Sequence, residues 1–287
     1  VRSEREQTPI LPALGAVFLL LVAGALSYLV LMASTFIASK VHGDSLRDAG
    51  THIQNDLVNL TLAQVVGMGL ALVIGLAWFG PDQSYPEALH LRPIRARSAA
   101  LGLLAGACLQ FPLAELANVL HHYVLGPDPL ETQLALQRMI EAPSLGRGMI
   151  VVCCVVAAVP VMEELFFRGF VLFGLRARYG DGAAVLGSAC LFGISHLNAV
   201  AAVYATAAGI VLGILALRTR STWPGIAMHA AVNAMPVLLP ERLFPLRGFN
   251  VPSVEPTHLG LWLVLPTLLL GGLLLAWVDR IEYAEDR

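Results

Sequence analysis

Charge is scarce in this chain: Asp, Glu, Lys and Arg together make up 13% of its 287 residues, about half the share of an ordinary soluble domain. With 57% hydrophobic residues and a mean hydropathy of +0.72, that shortage excludes a water-soluble enzyme. A basic excess is lacking too. Eighteen Lys and Arg against twenty Asp and Glu leave a net charge of −2, which gives nucleic acid no surface to bind. The four cysteines, Cys108, Cys153, Cys154 and Cys190, lie in apolar runs without CxxC spacing, so neither a disulfide framework nor a zinc-thiolate site is expected. Long polar stretches, which a soluble domain on one or two anchors would need, are absent as well.

What is present is a succession of apolar runs. Windows of about twenty residues place spans near 10–38, 57–80, 98–125, 148–175, 182–198, 199–217, 223–240 and 258–278. The expected fold is therefore all-α: a polytopic membrane helix bundle of about eight transmembrane helices, forming one integral membrane domain over residues 1–287. The stretch from Gly182 to Leu217 is interrupted only by His196 and Asn198, where a tight turn is expected. The polar start, Val1 to Gln7, precedes an apolar run about twice the length of a signal-peptide core, so the run reads as a retained first span.

Assigning the basic residues to connections puts eleven, among them Arg2, Arg5 and Arg287, on the side of both termini and six on the other. The positive-inside rule then places both termini in the cytoplasm. Residues 129–142 are amphipathic and too short to span; they read either as an interfacial gate or as an ordinary connector. No internal repeat of the transporter kind is visible. The spacings Gly102 to Gly106 and Gly209 to Gly213 read as close helix packing.

Ionisable groups at membrane depth cost roughly 2.5–3.5 kcal/mol each to insert, so those present point to function. Glu163, Glu164 and Arg168 interrupt one long apolar segment, VPVMEELFFRGF. Glu164 and Arg168, four apart, share a helix face and can pair, whereas Glu163 lies about 100° around and is expected to stay free. Pro160 removes a backbone donor and releases a carbonyl one turn back, which predicts a kink. Further on, Phe192 and His196, then His229 and Asn233, each form an i, i+4 pair on one face.

A carboxylate, two imidazoles and an amide converging on one cavity can position a water, deprotonate it and hold the oxyanion it creates. The bland alternative is an interhelical polar clamp that only holds the bundle together. HExxH is absent, and neither Glu163 nor Glu164 has a His three residues on, as the Glu-x-x-His pairs of di-iron bundles require, so no metal cofactor is favoured. Glu163, His196 and His229 nonetheless compose a zinc set drawn from separate helices, and spacing alone leaves it open. In the third span, Glu115 and Asn118 share a face near His121 and His122; they either line the same cavity or serve local pairing at the interface. Asn198 reads as a helix cap or a substrate contact.

The ordered set Glu163-Glu164-x-x-x-Arg168, Phe192-x-x-x-His196 and His229-x-x-x-Asn233 resembles the CPBP family of intramembrane proteases, the CAAX protease and bacteriocin-processing group also called Abi, which includes Rce1-type prenyl-protein peptidases. The resemblance covers a catalytic core of about residues 145–240. It implies hydrolysis of a peptide bond beside the membrane, with Glu163 as general base, His196 orienting the water and Glu164 paired with Arg168. His229 and Asn233 would stabilise the oxyanion. It also implies a glutamate mechanism rather than a metal one, in a bacterial inner membrane, on a membrane-associated protein or peptide such as a C-terminal anchor or CAAX-like tail. Two other readings stay open: a non-enzymatic scaffold or chaperone, and a proton-coupled transporter.

Overall fold

The computed structural model describes residues 11–80 and 83–283. Val1, Arg2, Arg5, Ile10 and Arg287, used above for the N-terminal segment and the charge balance, lie outside the described residues. Among the described residues, eleven helices follow in order: α1 (Ala13–His42), α2 (Leu46–Gln54), α3 (Leu57–Phe79), α4 (Tyr85–Ala88), α5 (Ala96–Leu125), α6 (Leu130–Ile140), α7 (Leu145–Tyr179), α8 (Asp181–Ile194), α9 (Ala199–Thr219), α10 (Trp223–Leu238) and α11 (Leu261–Tyr283). Among the described residues there is no β-strand, only an isolated bridge between Arg247 and Val251. The protein is an all-α membrane bundle.

All eight apolar segments expected from the sequence are helices. Six of them, α1, α3, α5, α7, α9 and α11, are long and apolar enough to cross a bilayer. The other two differ. α8 has 14 residues and α10 has 16, about 21 and 24 Å of rise, short of the roughly 30 Å hydrocarbon core. Their shortness follows from local punctuation: the turn at His196 to Asn198 ends α8, and α10 sits between Thr222 and Pro240. The outward faces of α1 and α11 expose large apolar side chains, including Leu21, Leu29, Leu269 and Leu273, as a surface bathed in lipid does.

α7 is the axis of the arrangement. On one side it packs against α1, α3 and α8, where Phe166, Phe167, Phe170 and Leu172 join Leu19, Ala71 and Leu72 in one buried cluster. On the other side α5, α9, α10 and α11 form a second cluster around Leu109, Leu212, Met228 and Val278. The approach of α5 to α10 needs glycine. A Cβ on Gly106 would stand 2.1 Å from the Met228 carbonyl oxygen, which leaves no room for any side chain.

The two ends of the bundle are closed differently. At the near end, where α1 begins, Leu89 O accepts from the Thr222 hydroxyl at 2.9 Å, and Thr222 N donates to His90 O at 3.0 Å. The α4 connection is thereby plugged against the start of α10. His90 adopts φ 52° and stacks on Phe173 with ring centroids 3.5 Å apart. Burial, aided by the charge of Arg176, lowers its pKa from 6.5 to about 4. At the far end, the long connection between α10 and α11 folds back over α5 and α6. There Gln133 bonds Ser253 in both directions and Gln137 donates to Glu241. α6 is the amphipathic segment expected over 129–142, pinned by these bonds.

Candidate active site

α7 is not a uniform α-helix. Residues Val152–Ala158 and Leu165–Leu172 are π-helical, and they flank the short α-helical stretch that carries Pro160, Glu163 and Glu164. Val159 N donates to Cys154 O, so in this register the proline's missing donor leaves Val155 O unclaimed. Asn233 Nδ2 from α10 donates to that oxygen at 3.0 Å. The kink expected at Pro160 is thus taken up as a change of helical register, and the freed carbonyl is satisfied by one of the motif residues.

Below this point the two glutamates separate. Arg168 Nη1 donates to Glu164 Oε1 at 2.8 Å, with both side chains fully buried, as the spacing predicts. His229 Nδ1 donates to the same oxygen at 3.0 Å. Glu163 is also buried but is not free as expected: Gln64 Nε2, from α3, donates to its Oε1 at 2.6 Å. Its Oε2 faces His229 Nε2 at 3.5 Å, at the outer limit of a hydrogen bond. A continuous array therefore runs Gln64, Glu163, His229, Glu164, Arg168 across three helices.

The array is incompletely satisfied. Glu164 Oε2 and Arg168 Nε and Nη2 are buried with no hydrogen-bond partner among the described residues. Each such group costs roughly 1–3 kcal/mol, more for a charged one. The guanidinium lies over the Phe192 ring, 4.3 Å from its centroid, which recovers part of that cost. Gly225 sets the wall beside Glu164: a Cβ there would fall 2.9 Å from Oε2, so the α10 backbone passes directly against the carboxylate.

His196 lies in the turn that follows α8, just before Leu197, which takes φ 55° and is 93% exposed. Asn198 caps α9, its Oδ1 accepting from Ala201 N at 2.9 Å. His196 Nδ1 donates to Phe192 O at 2.9 Å, leaving Nε2 as the acceptor nitrogen of the neutral ring. It meets the array through Phe192, whose ring stands edge-on to both His196 and His229. Of the six motif residues, Glu163, Glu164, Arg168 and His229 are joined in one array. His196 stands one aromatic ring away, and Asn233 sits a turn along α10 on Val155.

Two features escape the sequence patterns. Gln64 is one of two amides, with Asn59, in the apolar helix α3, and nothing near it in sequence marks it as a partner of Glu163. The second is the identity of the partners of Glu115 and Asn118, which follow the local-pairing reading of the two given above. These do not line the Glu163 cluster: Glu115 Oε1 accepts from His258 Nδ1 at 2.6 Å and Oε2 from Leu259 N at 2.7 Å, while Asn118 Nδ2 donates to Gly248 O at 2.8 Å. A cavity of about 210 Å³ beside them, bordered by His121, Asp128, Gln133 and Ser253, is a far-end feature. Among the described residues, no group of three or more His, Cys, Asp or Glu side chains is disposed to hold a metal ion, and His196 is not assembled with Glu163 and His229 as a zinc set would need.

Residues 146–235 match the family of type II CAAX prenyl endopeptidase Rce1-like proteins. That segment runs from α7 to α10 and contains all six motif residues. The chain is also 29% identical over 177 residues to a protein of Bacillus subtilis (strain 168) named "Putative membrane peptidase YdiL". The match takes in 61% of this chain and 66% of that protein, so it spans just under two thirds of the relative's length. No solved structure matches. Both likenesses support the CPBP resemblance read from the motifs, and the family match places it over the central helices.

Proposed function

We propose that this chain is an intramembrane endopeptidase that hydrolyses a peptide bond with a water activated by Glu163. The observation that carries this is the division of labour between adjacent carboxylates. Glu164 is committed to Arg168 and His229, whereas Glu163 is held only by a neutral amide on one oxygen and faces an imidazole nitrogen with the other. In this reading Glu163 takes a proton from water as the new C–O bond forms at the peptide carbonyl. Collapse of the tetrahedral species breaks the C–N bond, and the same proton passes to the departing amine, restoring the carboxylate.

His196 has its Nδ1 tied to the backbone, so Nε2 is available to accept the water's second proton as a hydrogen bond and aim its lone pair. The second N–H of Asn233 supplies a donor toward the oxyanion, joined by His229 Nε2 when that ring carries protons on both nitrogens. Glu164 and Arg168 hold His229 in place. No step calls for a metal, so a chelator is expected to leave the rate unchanged. Substrate enters as an extended apolar segment: a C-terminal membrane anchor or a CAAX-like tail of a membrane-associated protein. The membrane is the bacterial inner membrane, with both termini in the cytoplasm.

The test compares the membrane and secreted proteomes of cells carrying the wild-type protein with those carrying Glu163→Ala. Polypeptides that retain an extra hydrophobic segment in the variant identify both the activity and its substrates. One observation favours a second reading: the fully buried Glu164–Arg168 pair makes a good interhelical clamp, as a scaffold needs. Unchanged termini, with the variant present at wild-type level, would support that reading.

A further inference from the structure

The structure assigns Gln64 the role of positioning residue for Glu163, an inference that rests on the proposed role of that carboxylate as base. α3 lies outside the segment that matches the peptidase family, so the helix would otherwise count as packing alone. Its depth against α7 is nonetheless fixed closely. A Cβ on Gly69 would rest 3.6 Å from Met162 Cε, next to Glu163, and one on Gly75 would press on the Phe170 ring at 2.8 Å. With α3 seated this way, Gln64 Nε2 comes within 2.6 Å of Glu163 Oε1. Its other side-chain contact is the weak acceptor Met68 Sδ at 3.9 Å, one turn on. The amide is therefore committed to the glutamate.

A helical glutamate has three side-chain torsions, and a base that swings among its rotamers spends little time aimed at water. Here one oxygen is tied to α3 by the amide, and the other is kept facing α10 by His229. The two anchors come from different helices, so each oxygen of the carboxylate is held by its own partner. The amide also supplies this fixing without adding charge. A lysine or arginine in its place would neutralise Glu163 as Arg168 does Glu164. An amide is thus the side chain that both holds the carboxylate and leaves it basic.

The contrast to be tested is between positioning, substrate contact and space filling. Gln64→Met keeps an unbranched chain of similar size without the donor, and Gln64→Glu keeps the shape and replaces the donor. The purified full chain in lipid nanodiscs is assayed with an internally quenched peptide carrying a cleavage sequence recovered by the proteome comparison. Both variants are expected to lose kcat by tenfold to a hundredfold with KM within twofold of wild type and the protein still folded at the assay temperature. The carboxylate infrared band that disappears in Glu163→Gln is expected to shift in Gln64→Met.

Wild-type kcat in Gln64→Met would reduce the residue to space filling. A raised KM at constant kcat would make it a substrate contact, and an unmoved infrared band would show that the bond does not form; each overturns the assignment. Full activity of Glu163→Ala would instead overturn the proposed function itself, with the infrared shift still free to appear.

Discussion

Two polar clusters built from the same residue types, glutamate, histidine and asparagine, lie in this bundle with opposite economies of hydrogen bonding. At the far-end rim, Glu115 accepts from Asn118, His258 and the Leu259 amide, and His122 Nδ1 in turn meets His258 Nε2 at 2.7 Å. Each oxygen is used, one partner is a backbone amide, and the imidazoles are exposed. The product is a latch that ties the connection before α11 to the end of α5. In the core, three buried polar atoms of Glu164 and Arg168 have no partner among the described residues, and Glu163 faces other side chains only. Satisfied polar networks build structure, and incompletely satisfied buried ones mark places where chemistry outweighs stability.

The largest expected effect sharpens this contrast. Arg168→Leu strands Glu164 in a fully buried position and is expected to destabilise the bundle by about 3–5 kcal/mol, read as loss of the folded fraction in a denaturant titration. Replacing both partners with apolar residues, Arg168→Met with Glu164→Leu, is expected to recover much of that loss. A single variant no worse than the double would break the account of the core.

Next in size is a pH effect at the near-end plug, which separates it from both clusters. The pKa of His90 is about 4 in the folded protein and 6.5 in an opened chain, so between these values the opened state binds more protons and stability rises with pH. Acidification is expected to cost up to about 3 kcal/mol, starting near pH 6.5 and levelling off near pH 4. Hydrogen exchange should speed up over residues 84–92 in that window, and His90→Phe should abolish the slope. Exchange that rises at 248–259 instead would assign the acid sensitivity to the latch.

Glu115→Gln gives a smaller effect, because it weakens charge-assisted bonds without removing every acceptor. About 1–2 kcal/mol of local stability is expected to go, seen as faster exchange at residues 248–259 with the rest of the bundle unchanged. Smallest is Asn198→Ala, which deletes the α9 cap and is expected to cost about 1 kcal/mol, confined to the turn that follows His196.

Much of this was legible in the sequence where the interacting groups are close along one helix. The Glu164–Arg168 pair follows from i, i+4 spacing, and the apolar runs foretell all eight helical segments, including the break at His196 and Asn198. The cap at Asn198 follows from its side chain. Legibility fails where distance along the chain is large or helical register changes. Gln64 and Glu163 are 99 positions apart, and an amide in an apolar helix carries no pattern. The π-helical stretches of α7 alter the residues per turn, so faces reckoned at 100° per residue drift around Glu163. His258, the partner of Glu115, sits in a connection whose course is set by tertiary contacts alone.

The most direct measurement places the two clusters side by side: cleavage rates of purified wild-type, Glu163→Ala and Glu115→Ala proteins in lipid nanodiscs, on a substrate recovered from cells. Glu163→Ala is expected to lose activity by roughly 10²–10⁴-fold while remaining folded, with Glu115→Ala within about threefold of wild type. A Glu163→Ala protein that cleaves at the wild-type rate would contradict the account.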